Sequence, residues 1–386
     1  DVIKVAHYFG GLTLGESDML RRGMSGKFRS KSEFEKVKQQ FFTNCKLTGK
    51  PDAMSTEIWR QIESFAGYAF AKGHSASYAV ESYQSLYLKA YFPLEYMVAT
   101  INNFGGFYRT ELYINEARMH GGIINAPCIN KSFTQAVIYG SQIFIGFMFL
   151  QSFESKSSKK IIQEREKRGL YKSLDDFIDR VPVSLEQMML LIKINAFRFT
   201  GVNKRELLWE AHMKINKATF DEQKLSLFAT QKIAYNTPKL SSTKLEDAFD
   251  EIELLGYPLC NPFDLLQEKY TSNLRAKHLH KLLGKCVAIV GYLITSRKVR
   301  TSNGKLMYFG NFVDYDGFFV DSVHFPPSAE KYPFRGNGVY LITGKVVEEF
   351  DCISVEASKL ERLAIIEDPR YSDSQKGRKI NQKRIV

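Results

Sequence analysis

The chain has 386 residues, 44% of them hydrophobic, and its 54 Lys and Arg outnumber its 42 Asp and Glu to give a formal charge of +12. That apolar content suffices for roughly two to four domains with cores of their own, and the basic balance suits an extended polyanion as partner. No apolar run reaches the ~18 residues that cross a bilayer, and the opening Asp1-Val2-Ile3-Lys4 lacks the layout of a signal peptide, so a cytoplasmic protein without a membrane partner is expected.

Five scattered cysteines, never in a C-x-x-C arrangement, argue against a disulfide framework or a zinc site and read as reduced, buried thiols. Position 1 is Asp rather than Met, which reads as a fragment. From residue 1 to about 132 the apolar positions keep helical spacing: Ala79, Tyr83, Leu86, Tyr87, Ala90 and Tyr91 share one face, and Pro93 ends that helix and suits the first turn of the next. Residues 133–217 read as a second helical region. It opens with "AVIYGSQIFIGFMFL", which suits two brief strands or a hairpin, and closes with three short helices jointed at Pro182 and Gly201.

Residues 218–244 turn polar and aperiodic, as in a linker, apart from the apolar knot "KLSLF". A helical bridge over 245–283 follows. Then five strand-like runs over 284–365, parted by turn signals such as Ser302-Asn303-Gly304 and Asp316-Gly317, predict a small five-stranded barrel of the OB type. The basic stretch 366–386 is poor in apolar residues and predicts a disordered tail. The expected fold class is therefore multidomain α+β.

One stretch, "KGHSAS" from Lys72 to Ser77, nearly spells a G-x-S-x-G nucleophile elbow. The elbow needs a strand running into the serine, whereas the preceding "WRQIESFAGYAF" has helical spacing and the closing glycine is Ser77. A loop with Ser75 or Ser77 capping a helix accounts for the residues without any chemistry. The same exposed amides beside a lysine also form a corner that suits a phosphate.

The longer run "FAGYAFAKGHSASYAVESYQSLYLKAYFPLEYMVA" resembles the fingers of the bacterial C-family DNA polymerases, the DNA polymerase III alpha subunits, and "GGLTLGESDMLRRGMSGK" upstream resembles their arginine-pair stretch. The resemblance implies that Arg21, Arg22, Lys72, His74 and Ser75 lie near the incoming nucleotide, the dNTP, while Tyr78 and Tyr83 pack the helix. "EREKRGLYKSLDDFIDRV" through "FRFTGVNKRELLW" resembles the family's tandem helix-hairpin-helix region, which implies duplex DNA as partner. The first hairpin, Leu150 to Ser155, lacks the usual glycines and carries Glu154. Asn203, Lys204 and Arg205 at the second hairpin are therefore the expected phosphate contacts.

Gln223, Leu225, Leu227 and Phe228 resemble a sliding-clamp-binding peptide. "ELLGYPLCNPFDLL" resembles the bridge that precedes the family's OB domain. In that barrel Arg297, Lys298, Arg300 and Lys305, with Tyr308, Phe309 and Phe312 behind them, are expected to meet single-stranded template. The resemblance assigns 1–132 to a fingers portion and makes the chain the C-terminal half of such a polymerase, of the main or the shorter error-prone branch. The intact enzyme would use Mg2+ held by palm aspartates outside these residues, and would be a monomer outside the replication complex. The alternative is a non-catalytic DNA-binding or clamp-interacting protein built from the same domains.

Overall fold

The computed structural model describes residues 2–24, 31–64, 72–215, 240–268, 274–349 and 351–371. They form two units, Asp1–Tyr91 and Phe92–Val386.

The first unit is helical. A short α1 (Val2–Lys4) runs into a π turn, Val5–Phe9, and is followed by α2 (Leu14–Met24), α3 (Lys31–Leu47), α4 (Asp52–Ser64) and α5 (Lys72–Tyr91). Ala6, Leu12, Leu20, Phe41 and Trp59 close its core, the last two with ring centroids 5.0 Å apart. Helix α5 spans Lys72–Tyr91, so Ser75 and Ser77 lie inside it, neither is the expected cap, and the three described residues before Ser75 are helical. Tyr78 and Tyr83, expected to pack the helix, are exposed, as are Leu86, Tyr87 and Tyr91.

The second unit opens with α6 (Pro93–Asn102), with Pro93 in its first turn, and α7 (Thr110–Met119). A small sheet follows, in which β3 (Gln142–Phe144) pairs antiparallel with β2 (Val137–Tyr139) and parallel with β1 (Ile123–Asn125). The β2–β3 hairpin is the one the sequence suggests. Next come α8 (Ser155–Arg168), α9 (Leu174–Arg180), α10 (Leu185–Lys193) and α11 (Lys204–Lys214), then α12 (Lys244–Leu255).

Caps explain these boundaries: Ser173, Ser184 and Asn203 each accept a first-turn amide, and Thr243 with Glu246 forms a full capping box. A single core runs from Met97 and Ile101 through Phe147, Phe177 and Phe197 to Leu254 and Tyr257. The expected division at residue 132 is therefore absent from the packing. Residues 92–132 belong with the hairpins, and buried Arg165 and half-buried Arg198 stitch them there by donating to the carbonyls of Ile129, Ser132, Ala126 and Pro127.

The barrel consists of β4 (Cys286–Arg300), β5 (Leu306–Val313), β6 (Phe319–His324), β7 (Val339–Glu349) and β8 (Cys352–Arg362), with a short α13 (Pro326–Lys331) between β6 and β7. It closes in the order β4-β5-β6-β8-β7, with β6 and β8 parallel and every other pair antiparallel. That Greek-key closure resembles an OB-fold. Gly344 sits at the β7–β8 bulge, where an added Cβ would fall 2.1 Å from the Glu356 carbonyl oxygen. The interior is filled by Ile289, Leu293, Phe312, Tyr340, Ile342 and Val355.

A second apolar cluster, Leu112, Leu266, Tyr292, Ile294 and Val313, seats α7 against the barrel wall. Beyond the barrel, Ile365 bridges to Leu266. Residues 366–371, expected to open a structureless tail, place Arg370 on Asp250 and Glu253 of α12, both at 2.6 Å. The cysteines are free, but Cys286 and Cys352 are exposed rather than buried.

One buried and one half-buried group, His324 and Glu251, give stability opposite dependences on pH. His324 is fully buried, with Nε2 2.8 Å from the Ser322 hydroxyl, and burial depresses its pKa from 6.5 to about 4. The folded barrel thus binds this proton less readily than the unfolded chain. The contribution of neutral His324, about 3 kcal/mol at most, is complete above pH 6.5 and lost as pH falls toward 4. His324→Gln should flatten the acid limb of a thermal-melt series.

Glu251 receives the amide of Leu259 at 2.6 Å, yet burial raises its pKa to about 7. Its contribution is complete below pH 4.5 and lost as pH rises through 7. Glu251→Gln keeps an acceptor for Leu259 and should raise the melting temperature at pH 8 while changing little at pH 5.

Candidate nucleic-acid interface

Two helix-hairpin-helix turns lie in the second unit. The first runs from a 3-10 turn, Phe147–Phe149, through residues 150–154 into α8. The second joins α10 to α11. Each hairpin carries one non-glycine residue in the left-handed region, Ser152 (φ 60°) and Asn195 (φ 61°). Asn tolerates that region better than most residues because its side chain bonds locally.

The missing glycines therefore did not abolish the first hairpin. They did leave its amides internally engaged: Gln151 N donates to the Leu254 carbonyl at 2.8 Å and Glu154 N to Gln187 Oε1 at 2.8 Å.

The second hairpin brings Asn203, Lys204 and Arg205 together as expected, but against protein. Lys204 is 5% exposed, and its ammonium stands 2.5 Å from both Asp247 and Asp250. Arg205 pairs with Glu246 at 2.8 Å, and Asn203 caps α11 while donating to the Ser242 hydroxyl. Helix α12 thus supplies the carboxylates that this cluster meets, and Lys204 is not presented to solvent.

The cationic face that motif reasoning missed lies on α8. At 100° per residue, Lys156, Lys159, Lys160 and Lys167 fall within one arc, opposite buried Ser158, Ile161 and Arg165. Lys156, Lys159 and Lys167 are exposed and Lys160 is half-buried. Among the described residues none of the four has a carboxylate within ion-pair distance. Their i, i+3, i+4, i+11 spacing was the available signal.

On the barrel, Arg297, Lys298, Arg300 and Lys305 are all exposed on the β4–β5 hairpin. Arg297 stands opposite Phe309, itself half-exposed, and Lys298 opposite Tyr308. Directly opposite residues share a face, so the hairpin offers cations on both sides with an aromatic ring beside Arg297. Phe312 is fully buried and belongs to the core.

In the first unit, Arg21 and Arg22 sit in the last turn of α2 and share Asp18, at 2.8 and 2.7 Å, which lowers the pKa of that carboxyl. Lys72, His74 and Ser75 occupy the first turn of α5. Gln223, Leu225, Leu227 and Phe228 lie outside the described residues.

Comparison with known proteins agrees with this architecture. A helix-hairpin-helix motif family matches residues 121–207. The DNA polymerase III alpha subunit of Borreliella burgdorferi is 30% identical over 94% of this chain and 34% of its own length, and that of Aquifex aeolicus is 29% identical over 90% and 29%. An error-prone DNA polymerase of Mycobacterium bovis is 29% identical over 52% of this chain and 19% of its own. The second OB-fold domain of replication protein A from Methanococcus maripaludis aligns with 24% of this chain and 96% of its own at 9% identity, with a TM-score of 0.17. The barrel assignment rests on strand order instead.

The chain spans about a third of the length of the alpha subunits it matches. With 29–30% identity across nearly all of its residues and a helix-hairpin-helix motif at 121–207, the chain is homologous to the C-terminal region of DNA polymerase III alpha subunits.

Proposed function

We propose that this chain holds DNA for a template-directed DNA polymerase, the nucleotidyl-transfer chemistry belonging to the part of its relatives that it does not span. The observation that carries this reading is the presence, in one packed unit, of a lysine face on α8 with no carboxylate at ion-pair distance among the described residues and of the cationic β4–β5 hairpin of the barrel. Lysines on α8 neutralise duplex phosphates without reading sequence. The barrel takes single-stranded template across Arg297, Lys298, Arg300 and Lys305, with Phe309 as a stacking surface. The residues at the second hairpin act in this reading through structure, with Lys204 anchoring α12.

Arg21 and Arg22 meet the triphosphate of the incoming dNTP, which brings more charge and more acceptor oxygens than Asp18 can offer. Lys72, His74 and Ser75 border the same nucleotide. Gln223, Leu225, Leu227 and Phe228 tether the protein to a sliding clamp by dropping two apolar side chains into a pocket. Among the described residues no group of three or more His, Cys, Asp and Glu is placed to hold a metal ion. In this reading the Mg2+ of the intact enzyme is held by carboxylates outside these residues, and no step here runs through it. The setting is cytoplasmic, and the protein a monomer outside its replication complex.

A salt titration tests the reading. Lys156→Ala/Lys159→Ala should weaken duplex binding and reduce the slope of log K against log salt by about 2, roughly one for each phosphate left without its lysine; an unchanged slope would remove α8 from the interface. Lys204→Ala should instead leave duplex affinity unchanged and cost roughly 3 kcal/mol in denaturant titration, because Asp250 loses a buried partner. The purified 386-residue chain should incorporate no nucleotide on a primed template, measured by primer extension.

A further inference from the structure

The turn between α6 and α7 is built in a way that packing does not explain. Helix α6 ends with Phe104 N donating to the Ile101 carbonyl at 2.9 Å and Gly105 N to the Thr100 carbonyl at 2.8 Å. This is the pattern whose left-handed residue is normally glycine. Here that residue is Phe104, at φ 61°. A bulky side chain in this region is strained, and its ring is 67% exposed, so burial does not offset the strain. Strain held in place without a packing return is a mark of functional sites.

The turn is also fixed. At Gly105 (φ 73°) a Cβ would fall 2.4 Å from the Tyr113 ring. Phe104 leans on Phe149 with centroids 6.2 Å apart, and Phe149 ends the 3-10 turn that packs on α8. Phe107 is 81% exposed and meets the edge of Tyr108 at 5.0 Å. Tyr108 packs into the cluster that seats α7 on the barrel. One exposed ring is therefore anchored on the hairpin side and the other on the barrel side.

We infer that Phe104 and Phe107 form a stacking platform for unpaired bases at the point where duplex DNA opens into single strand. The inference rests on the DNA-holding reading and adds a contact to it. Every base offers a π face to such a ring whatever its sequence. The same unit carries the exposed lysines of α8 and the cationic β4–β5 hairpin, charge that a bare apolar turn lacks, which favours a nucleic acid over an apolar protein segment as the occupant.

The test titrates three DNAs at one salt concentration: blunt duplex, single strand, and duplex with a single-stranded overhang bearing 2-aminopurine at the junction. Wild type should prefer the junction and change the 2-aminopurine fluorescence. Phe104→Ala/Phe107→Ala should lose between about five- and a hundredfold in junction affinity, lose the fluorescence change, and keep wild-type affinity for blunt duplex. Phe104→Gly relieves the strained turn, so it should melt no lower than wild type and still bind the junction more weakly, a combination that a structural role would not give.

Wild-type junction affinity in the double variant, with the Lys156 and Lys159 dependence intact, overturns the platform and leaves the DNA-holding reading standing. Equal loss on blunt duplex also overturns it. Phenylalanine dependence without lysine dependence would keep the platform and remove α8.

Discussion

A buried ammonium ties the second hairpin to α12. Lys204 lies between Asp247 and Asp250 at the start of α11, and Asp250 in turn receives Arg370 from beyond the barrel. Such a cluster costs much desolvation and is retained only when geometry and partners are good. Removing Lys204 would take the ammonium from both Asp247 and Asp250 and leave Arg370 on Asp250 alone. The cluster therefore fixes α12 against the hairpins, and α12 leads directly into the segment on which the barrel rests.

That constraint divides the basic residues of this unit into two populations. Lys204, Arg165, Arg198 and Arg370 are spent on carboxylates or carbonyls inside the protein. The lysines of α8 and the cations of the β4–β5 hairpin face solvent. Net charge alone could not separate them. A positive balance attracts a polyanion only through charges that lack a closer counter-ion, and in the proposed function those lie on one helix and one hairpin.

Much of the architecture was legible in the residues. Alternating runs parted by Ser302-Asn303-Gly304 and Asp316-Gly317 located the five strands, and Pro93 located the start of α6. The division at residue 132 was not, because it depends on which faces meet: the carbonyls of residues 126–132 are claimed by arginines 33 to 72 positions further along the chain. At the hairpins, motif logic pointed to Asn203, Lys204 and Arg205, since a basic helix start usually faces phosphate. The acidic turn of α12 that covers them is remote in sequence. The α8 lysines were readable from helical spacing, but they lie outside the hairpin turn to which the motif assigns phosphate contacts.

The return of the chain after β8 has a practical consequence. Ile366 N donates to the Leu265 carbonyl and Gln267 N to the Ala364 carbonyl, each at 2.9–3.0 Å, before Arg370 reaches α12. The barrel is thus laced at both ends to residues outside its five strands. Exchanging it between relatives, or excising it for separate study, has to carry 257–268 and 364–371 along. A cut at the last strand would strip a counter-ion from the helical module as well as an edge from the barrel.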